Sequence, residues 1–240
     1  MVMAAFSTSR VAAQASGPTG QHTHQGSSGM GMVDMNEASM FLMRLGSGTS
    51  ENPAAWPMPM IMTHFKNWNM MFMGVAFLSH IQQSGQRGGD KLYSTNWFMT
   101  SAEHRVGSNG AFEAELMLSL EPATITDRRY PLLFQTGETA YGLPLVDAQH
   151  PHNFIMSLGF HYVHQLAEDT TVDLYVAPVG DPALGPVAYP HRASAMELPQ
   201  APISHHWQDS THIADDVVTV GLRHKSLKLE ASGFYGSEPG

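Results

Sequence analysis

The sequence predicts an all-β fold, an antiparallel up-and-down β-barrel of the outer-membrane type, of which we expect this chain to hold an incomplete part. Three observations predict it: segments with alternating apolar and polar residues, connections that are alternately short and long, and a low density of charge. Charged residues make up 14% of the 240 residues, against about 25% in ordinary soluble domains. No stretch approaches the roughly 20 apolar residues of a transmembrane helix.

The first 65 residues precede the strands and are poor in regular patterns. Residues 1–15 end in Ala13-Gln14-Ala15, a small-x-small motif that predicts the remnant of an export signal. Residues 16–65 are rich in Gly, Ser, Pro, Met and His, and we expect a flexible, disordered leader. A short helix near residues 35–45 is compatible with the sequence, because Asp34 or Asn36 could cap it.

From residue 66 onward the pattern is that of strands separated by turn-formers, and residues 66–240 are assigned to the barrel. In one segment Phe112, Leu116 and Leu118 alternate with Glu113 and Glu115, which predicts one apolar and one polar face. We expect lipid against the first face and the lumen against the second. Seven strands are predicted, at residues 66–80, 96–104, 111–120, 153–165, 171–178, 214–223 and 227–234.

The connections between these strands alternate in length. Hairpins of a few residues join strands two and three, four and five, and six and seven, whereas long loops cover residues 121–152 and 179–213. Outer-membrane barrels have short turns at one end and long loops at the other. A soluble exported β-sandwich with functional loops shares the alternation and remains the alternative.

Composition excludes several function classes. Twelve Lys and Arg against 21 Asp and Glu leave a net charge of −9, with no basic run, so a nucleic-acid partner is not expected. The absence of cysteine removes thiolate nucleophiles and Cys-ligated metals. Imidazole, thioether and carboxylate groups remain for metal chemistry, and no catalytic signature such as G-x-S-x-G occurs.

The leader holds the first set of candidate metal ligands. Eleven of the 17 methionines lie between residues 30 and 73. Thioethers suit Cu(I) and imidazole accepts Cu(II), so interleaved Met and His in an exported segment predict copper capture. An inert linker is the alternative. The candidate ligands are His22, His24, Met30, Met32, Met35, Met58, Met60, Met62 and His64.

The two long loops hold the second set. Both loops leave the same end of the predicted sheet, so we expect their histidines to approach one another. Imidazoles with a carboxylate would suit zinc, copper or iron. The alternative is that the histidines form hydrogen bonds with Asp147, Asp209 and the loop backbone, and so hold a long loop in one conformation inside the barrel mouth. The candidates are Asp147, His150 and His152 in the first loop, and His205, His206, Asp209 and His212 in the second.

The Met- and His-rich leader, residues 21–64, followed by a barrel pattern, resembles outer-membrane copper-resistance proteins of the copper-resistance B type. This resemblance implies copper binding or copper sequestration at the outer membrane. The loop segments DAQHPHNF (residues 147–154) and LPQAPISHHWQDSTHI (residues 198–213) instead look like signatures of a separate barrel family.

The sequence therefore predicts an outer-membrane β-barrel, not an enzyme, that binds a transition metal, copper before zinc or iron, in metal resistance or transport. Its expected partners are outer-membrane lipid and metal ions. Two alternatives stay open: a periplasmic or secreted β-sandwich metalloenzyme with a His-rich loop site, and a passive porin without metal. The oligomeric state is not predicted.

Overall fold

The fold is all-β and antiparallel, as predicted: strands make up 60% of the structure and helices 9%. The structure, a computed structural model, describes residues 2–8, 35–53, 55–56, 58–203, 205 and 214–236. Among these residues, no helix has the length and apolar character that crossing a membrane requires.

Thirteen strands and two short α-helices form the described chain. The strands are β1 (Val2–Thr8), β2 (Leu45–Ser47), β3 (Ser50–Glu51), β4 (Ile61–Phe65), β5 (Trp68–Gln82), β6 (Asp90–Val106), β7 (Gly110–Leu118), β8 (Tyr130–Ala140), β9 (Leu143–Gln149), β10 (Ile155–Ala167), β11 (Thr170–Gly180), β12 (Ala214–His224) and β13 (Leu227–Gly236). The helices are α1 (Glu37–Leu42) and α2 (Glu121–Thr124). Single turns of 3₁₀ helix cover Thr126–Arg128 and Tyr189–His191.

Nine strands form one large sheet in the order β1-β13-β12-β11-β10-β7-β6-β5-β4. All seven predicted strands are present in it, and neighbours among them pair antiparallel. The sequence did not predict β4, which pairs with β5, or β1, which pairs with β13. Strand β1 lies within the residues assigned to an export-signal remnant.

The short turns after β6, β10 and β12 lie at one end of the sheet, and the two long loops lie at the other. Within the first long loop, α2 is followed by a two-stranded ribbon of β8 and β9. This ribbon was not predicted. Both long loops therefore carry structure of their own, which is typical of loops of this length in folded domains.

The two faces of the large sheet have opposite character, and the polar face is the buried one. On β7, Glu113, Glu115 and Met117 are buried, whereas Phe112, Leu116 and Leu118 are only partly covered. On β11 and β12 the buried side chains include Asp173 and Thr219, and Val220 on the opposite face is 57% exposed. We call these the inner (polar) and outer (apolar) faces. Their arrangement is the reverse of a water-soluble sheet with one solvated face.

Residues 35–53 of the predicted flexible leader are folded against the inner face, which corrects the expectation of disorder for this part. Asn36 caps α1, as the sequence suggested, because its side chain accepts a hydrogen bond from Ser39 N–H. Ser39 Oγ donates to Glu103 Oε1 at 2.5 Å, and Phe41 packs in a buried cluster with Ala111 and Val163. This part of the leader is thus ordered by its contacts with the sheet.

The second long loop also enters the space beside the inner face and meets the folded leader there. The Ala183 N–H donates to Ser232 Oγ on β13, at 3.0 Å. Ala188 N–H donates to Ser47 Oγ at 2.9 Å. At Gly48 the backbone has φ +50°, and a side chain would strike the Asp181 carbonyl oxygen only 2.3 Å from its Cβ position. Glycine therefore permits the close approach of leader and loop.

Candidate functional site

Three of the predicted histidines come together at the long-loop end of the sheet. His150 follows β9 directly, His152 lies between β9 and β10, and His205 belongs to the second long loop. All three are buried, together with two glutamates, Glu121 at the start of α2 and Glu138 on β8. We call these five residues the loop cluster.

Glu138 connects the two loops. Its Oε2 atom lies 3.4 Å from His150 Nε2, and its Oε1 atom lies 3.8 Å from His205 Nδ1. Gln135 Nε2 also donates to Glu138 Oε1, at 2.7 Å. One carboxylate therefore faces imidazoles from both long loops, which fixes the loops relative to each other.

Glu121 holds His152 in a second contact of the same kind. Its Oε2 lies 3.1 Å from His152 Nδ1 and accepts the His152 backbone N–H at 2.8 Å. Its Oε1 accepts the backbone N–H of Asn96 at 3.1 Å. Burial alone would raise the pKa of Glu121, but the charge and hydrogen bonds of His152, with the N–H of Asn96, bring this pKa below its usual value. The buried carboxylate is thereby kept ionised.

Tyr189 links the histidines from the second loop. Its hydroxyl lies 3.0 Å from His152 Nε2, and its ring contacts the His205 ring edge to face, with centroids 4.9 Å apart. Both ring nitrogens of His152 thus face a polar neighbour. His152 is held in one orientation, as expected for a bracing residue.

Asp147, a predicted ligand, binds an arginine instead. Its two carboxylate oxygens accept hydrogen bonds from Arg87 Nε and Nη2 at 2.5 and 2.9 Å, and one also accepts the Phe134 N–H. Hydrogen bonds from Arg87 and Phe134 lower the pKa of Asp147. The Asp147–Arg87 contact thus links the β8–β9 ribbon to the β5–β6 connection. It does not take part in the histidine contacts.

The remaining candidates fall into two groups. The structure describes Met35 before α1, Met58 and Met60 before β4, and Met62 and His64 on β4. Met58, Met60 and Met62 are partly buried, whereas Ile61 and His64 are exposed. The candidates that lie outside the described residues are His22, His24, Met30, Met32, His206, Asp209 and His212.

The loop cluster is held together by carboxylate–imidazole contacts and by hydrogen bonds from backbone N–H groups to Glu121. In the described part of the chain, no group of three His, Asp or Glu side chains is arranged to hold a metal ion. The convergence of the two loops agrees with the expectation from topology. Glu121, Glu138 and Tyr189 were not predicted, because each lies in a loop whose course depends on tertiary contacts.

Comparison of the chain with known protein families, with curated proteins and with solved structures found no match.

Proposed function

We propose that this chain forms the wall of an outer-membrane β-barrel that binds a transition metal, copper first, on its inner side. The single observation that carries the proposal is the inverted sheet, with charged residues buried and apolar residues exposed. Outer-membrane barrels have this arrangement, because their outer face meets lipid and their interior is polar.

The apolar outer face extends over neighbouring strands. Its exposed side chains include Phe72 and Leu78 on β5, Leu92 and Phe98 on β6, Phe160 on β10, Leu174 and Val176 on β11, Val218, Val220 and Leu222 on β12, and Leu227 and Leu229 on β13. Contiguous apolar surfaces of this kind mark contacts with a membrane or a partner. In a soluble sandwich this face would be buried against a second sheet.

The interior supports cation binding by its charge. Glu103, Glu113, Glu115 and Asp173 are all buried on the inner face, and the chain carries a net charge of −9. A surface lined by carboxylates raises the local concentration of cations. Zinc or iron would use its imidazole and carboxylate groups, whereas copper could also use thioethers.

Placing a charge on the outer face tests the membrane part of the proposal. Val220→Arg puts a guanidinium near the middle of β12, where lipid contact would cost about 2–4 kcal/mol. We expect the variant to insert less completely than the unchanged chain when it is folded into phosphatidylcholine vesicles. Flotation with the vesicles and protection from trypsin measure insertion.

Val146→Arg is the matched control. Val146 is 62% exposed, close to the 57% of Val220, but lies on β9 in the first long loop. Its replacement should leave insertion unchanged, since exposed substitutions in water usually alter stability by less than about 0.5 kcal/mol. A chain that is monodisperse without detergent, and in which both variants fold equally well, would contradict the barrel proposal.

A passive pore is the second candidate, and the loop cluster favours it. Carboxylate–imidazole contacts such as Glu138–His150 would brace the loops at the mouth of a pore without metal. Ion conductance in planar bilayers, combined with no stoichiometric metal bound by the full chain, would support this function over metal binding.

A further inference from the structure

A cavity lies between the inner face, the folded leader and the second long loop, and His152 of the loop cluster is among the residues that line it. Its empty volume is about 470 Å³, counting its opening. Residues from six parts of the chain line it, among them Met99 on β6, Met117 on β7, Met156 on β10, His152 before β10 and His191 in the second loop, together with the carboxylates of Glu115 and Asp181. Three thioethers and two imidazoles, those of His152 and His191, thus share one cavity.

The strand pairing explains why the three methionines meet. Met99 and Met117 are direct cross-strand partners on the inner face. On β10 the register with β7 shifts between Ile155 and Ser157, and Met156 is the extra residue at this irregularity. Such bulges re-aim a side chain, and both Met156 and Ser157 line the cavity.

The contact of His191 Nδ1 orients the ring so that Nε2 can bind a ligand. Its Nδ1 faces the Gly46 carbonyl oxygen, an acceptor, so Nδ1 carries the proton and Nε2 carries the lone pair. The side chain is 3% exposed, and among the described residues Nε2 has no hydrogen-bond partner. Burial lowers the pKa of His191 to about 4, which keeps the ring neutral at pH 7. Metal-binding histidines typically have this arrangement, with the second nitrogen bound to a carbonyl.

We propose that this cavity binds Cu(I) through His191 Nε2 and the thioethers of Met99, Met117 and Met156. Thioethers are soft ligands that select Cu(I), and a neutral imidazole accepts the same ion. Ca²⁺ and Mg²⁺ require oxygen ligands, and of the two carboxylates that line the cavity, that of Glu115 already accepts hydrogen bonds from Ser157 Oγ and the Tyr175 hydroxyl. The inference deepens the proposed metal-binding function, on which it rests, by naming the ion and its ligands.

The alternative for these methionines is packing alone. Met117 and Met196 belong to a buried apolar cluster with Trp97, against which Met73, Met99 and Met156 also pack. Met73 and Met196 belong to the cluster but do not line the cavity. The chain therefore contains matched control residues, with the same chemistry in the same cluster and no place in the proposed site.

The test compares two variants of the full chain in detergent. Met99→Leu/Met117→Leu/Met156→Leu removes the three sulfurs and conserves side-chain volume, whereas Met73→Leu/Met196→Leu removes two sulfurs beside the site. Two soft ions are the probes. Ag(I) is used without a reductant, and Cu(I) is used under reducing conditions. Methionine methyl resonances in ¹³C NMR report which side chains bind, and equilibrium dialysis reports stoichiometry.

We expect the triple variant to bind one equivalent fewer than the unchanged chain, or to bind it about tenfold more weakly or worse, and the double variant to bind as the unchanged chain does. His191→Gln should weaken the same equivalent. The candidate ligands in the leader are the same in all variants, so the metal that they bind cancels when two variants are compared. Equal binding by the triple and double variants would overturn the site.

Failure of the site and failure of the barrel are distinguishable. Leucine at the three positions should not alter insertion into vesicles, which depends on the outer face. Normal insertion with no loss of Ag(I) in the triple variant would reject the copper site and retain the barrel. Loss of insertion in the unchanged chain would reject the barrel whatever the metal titration gives.

Discussion

The Nε2 atom of His150 lies 3.4 Å from Oε2 of Glu138, and both side chains are almost completely buried. The same carboxylate faces His205 from the second long loop. A buried carboxylate is stable only when it is paired and hydrogen-bonded. The position of the second loop therefore depends on a group in the first.

We expect Glu138→Gln to loosen both long loops. The amide is nearly isosteric but removes the negative charge that faces the two imidazoles, and leaving buried polar groups without a matching partner costs about 1–3 kcal/mol. The free energy of unfolding in detergent should fall by that amount, and trypsin should cleave more rapidly within residues 179–213. Glu168→Gln, in the exposed turn between β10 and β11, is the control and should change neither. Unchanged cleavage in Glu138→Gln would show that the loops are held by other contacts.

A second prediction concerns the pH dependence of the β8–β9 ribbon. Arg87 and the Phe134 N–H lower the pKa of Asp147 in the folded chain. Below the usual carboxyl pKa of about 4 the unfolded state then binds more protons than the folded state. The contribution of this ion pair is present above that pH and is lost as the pH falls through the lowered pKa.

Arg87→Gln should abolish this dependence. The Asp147 carboxyl ¹³C resonance in the variant should titrate closer to about 4, and cleavage of the ribbon by pepsin at low pH should become as rapid at pH 4 as at pH 3. Arg87→Lys keeps the charge without the paired hydrogen bonds and should give an intermediate result. An Asp147 titration that is the same in all three chains would contradict the assignment.

The sheet could be predicted because its signal is local. Alternation of period two, as in Glu113, Glu115 and Met117 opposite Phe112 and Leu116, depends only on the pleat, and short hairpins place successive strands side by side. The N-cap of α1 at Asn36 is local in the same way. The convergence of His150 and His152 with His205 follows from both loops leaving one end of the sheet.

What could not be predicted depends on contacts between distant residues. Ser39 is 64 positions from Glu103, and Lys228, which donates to the Thr49 carbonyl oxygen at 2.6 Å, is 179 positions from its partner. No periodicity in the leader indicates these contacts. The cavity with Met99, Met117 and Met156 was also not predicted. A contact between residues of three strands can be predicted only when the register of the strands and the position of the bulge are known.

The third prediction concerns the anchor of the leader. Phe41 is 1% exposed and packs on Ala111 and Val163, with the Arg223 guanidinium and the Lys228 ammonium near its ring at 5.3 and 5.4 Å. Phe41→Ala removes this packing and these cation–π contacts, and truncation of a buried Phe costs about 3–5 kcal/mol. We expect the leader to detach before the sheet unfolds, because β5 to β13 keep their own hydrogen bonds.

Hydrogen exchange separates detachment of the leader from unfolding. In Phe41→Ala the amides of residues 36–51 should lose protection, while those of β6, β7 and β10 keep theirs. Met40→Ala is the control on the same helix, since Met40 is 43% exposed. In this variant the amides of residues 36–51 should exchange as in the unchanged chain. Uniform loss of protection across leader and sheet would mean that they unfold as a single cooperative unit. The leader would then not detach separately, which would contradict the prediction.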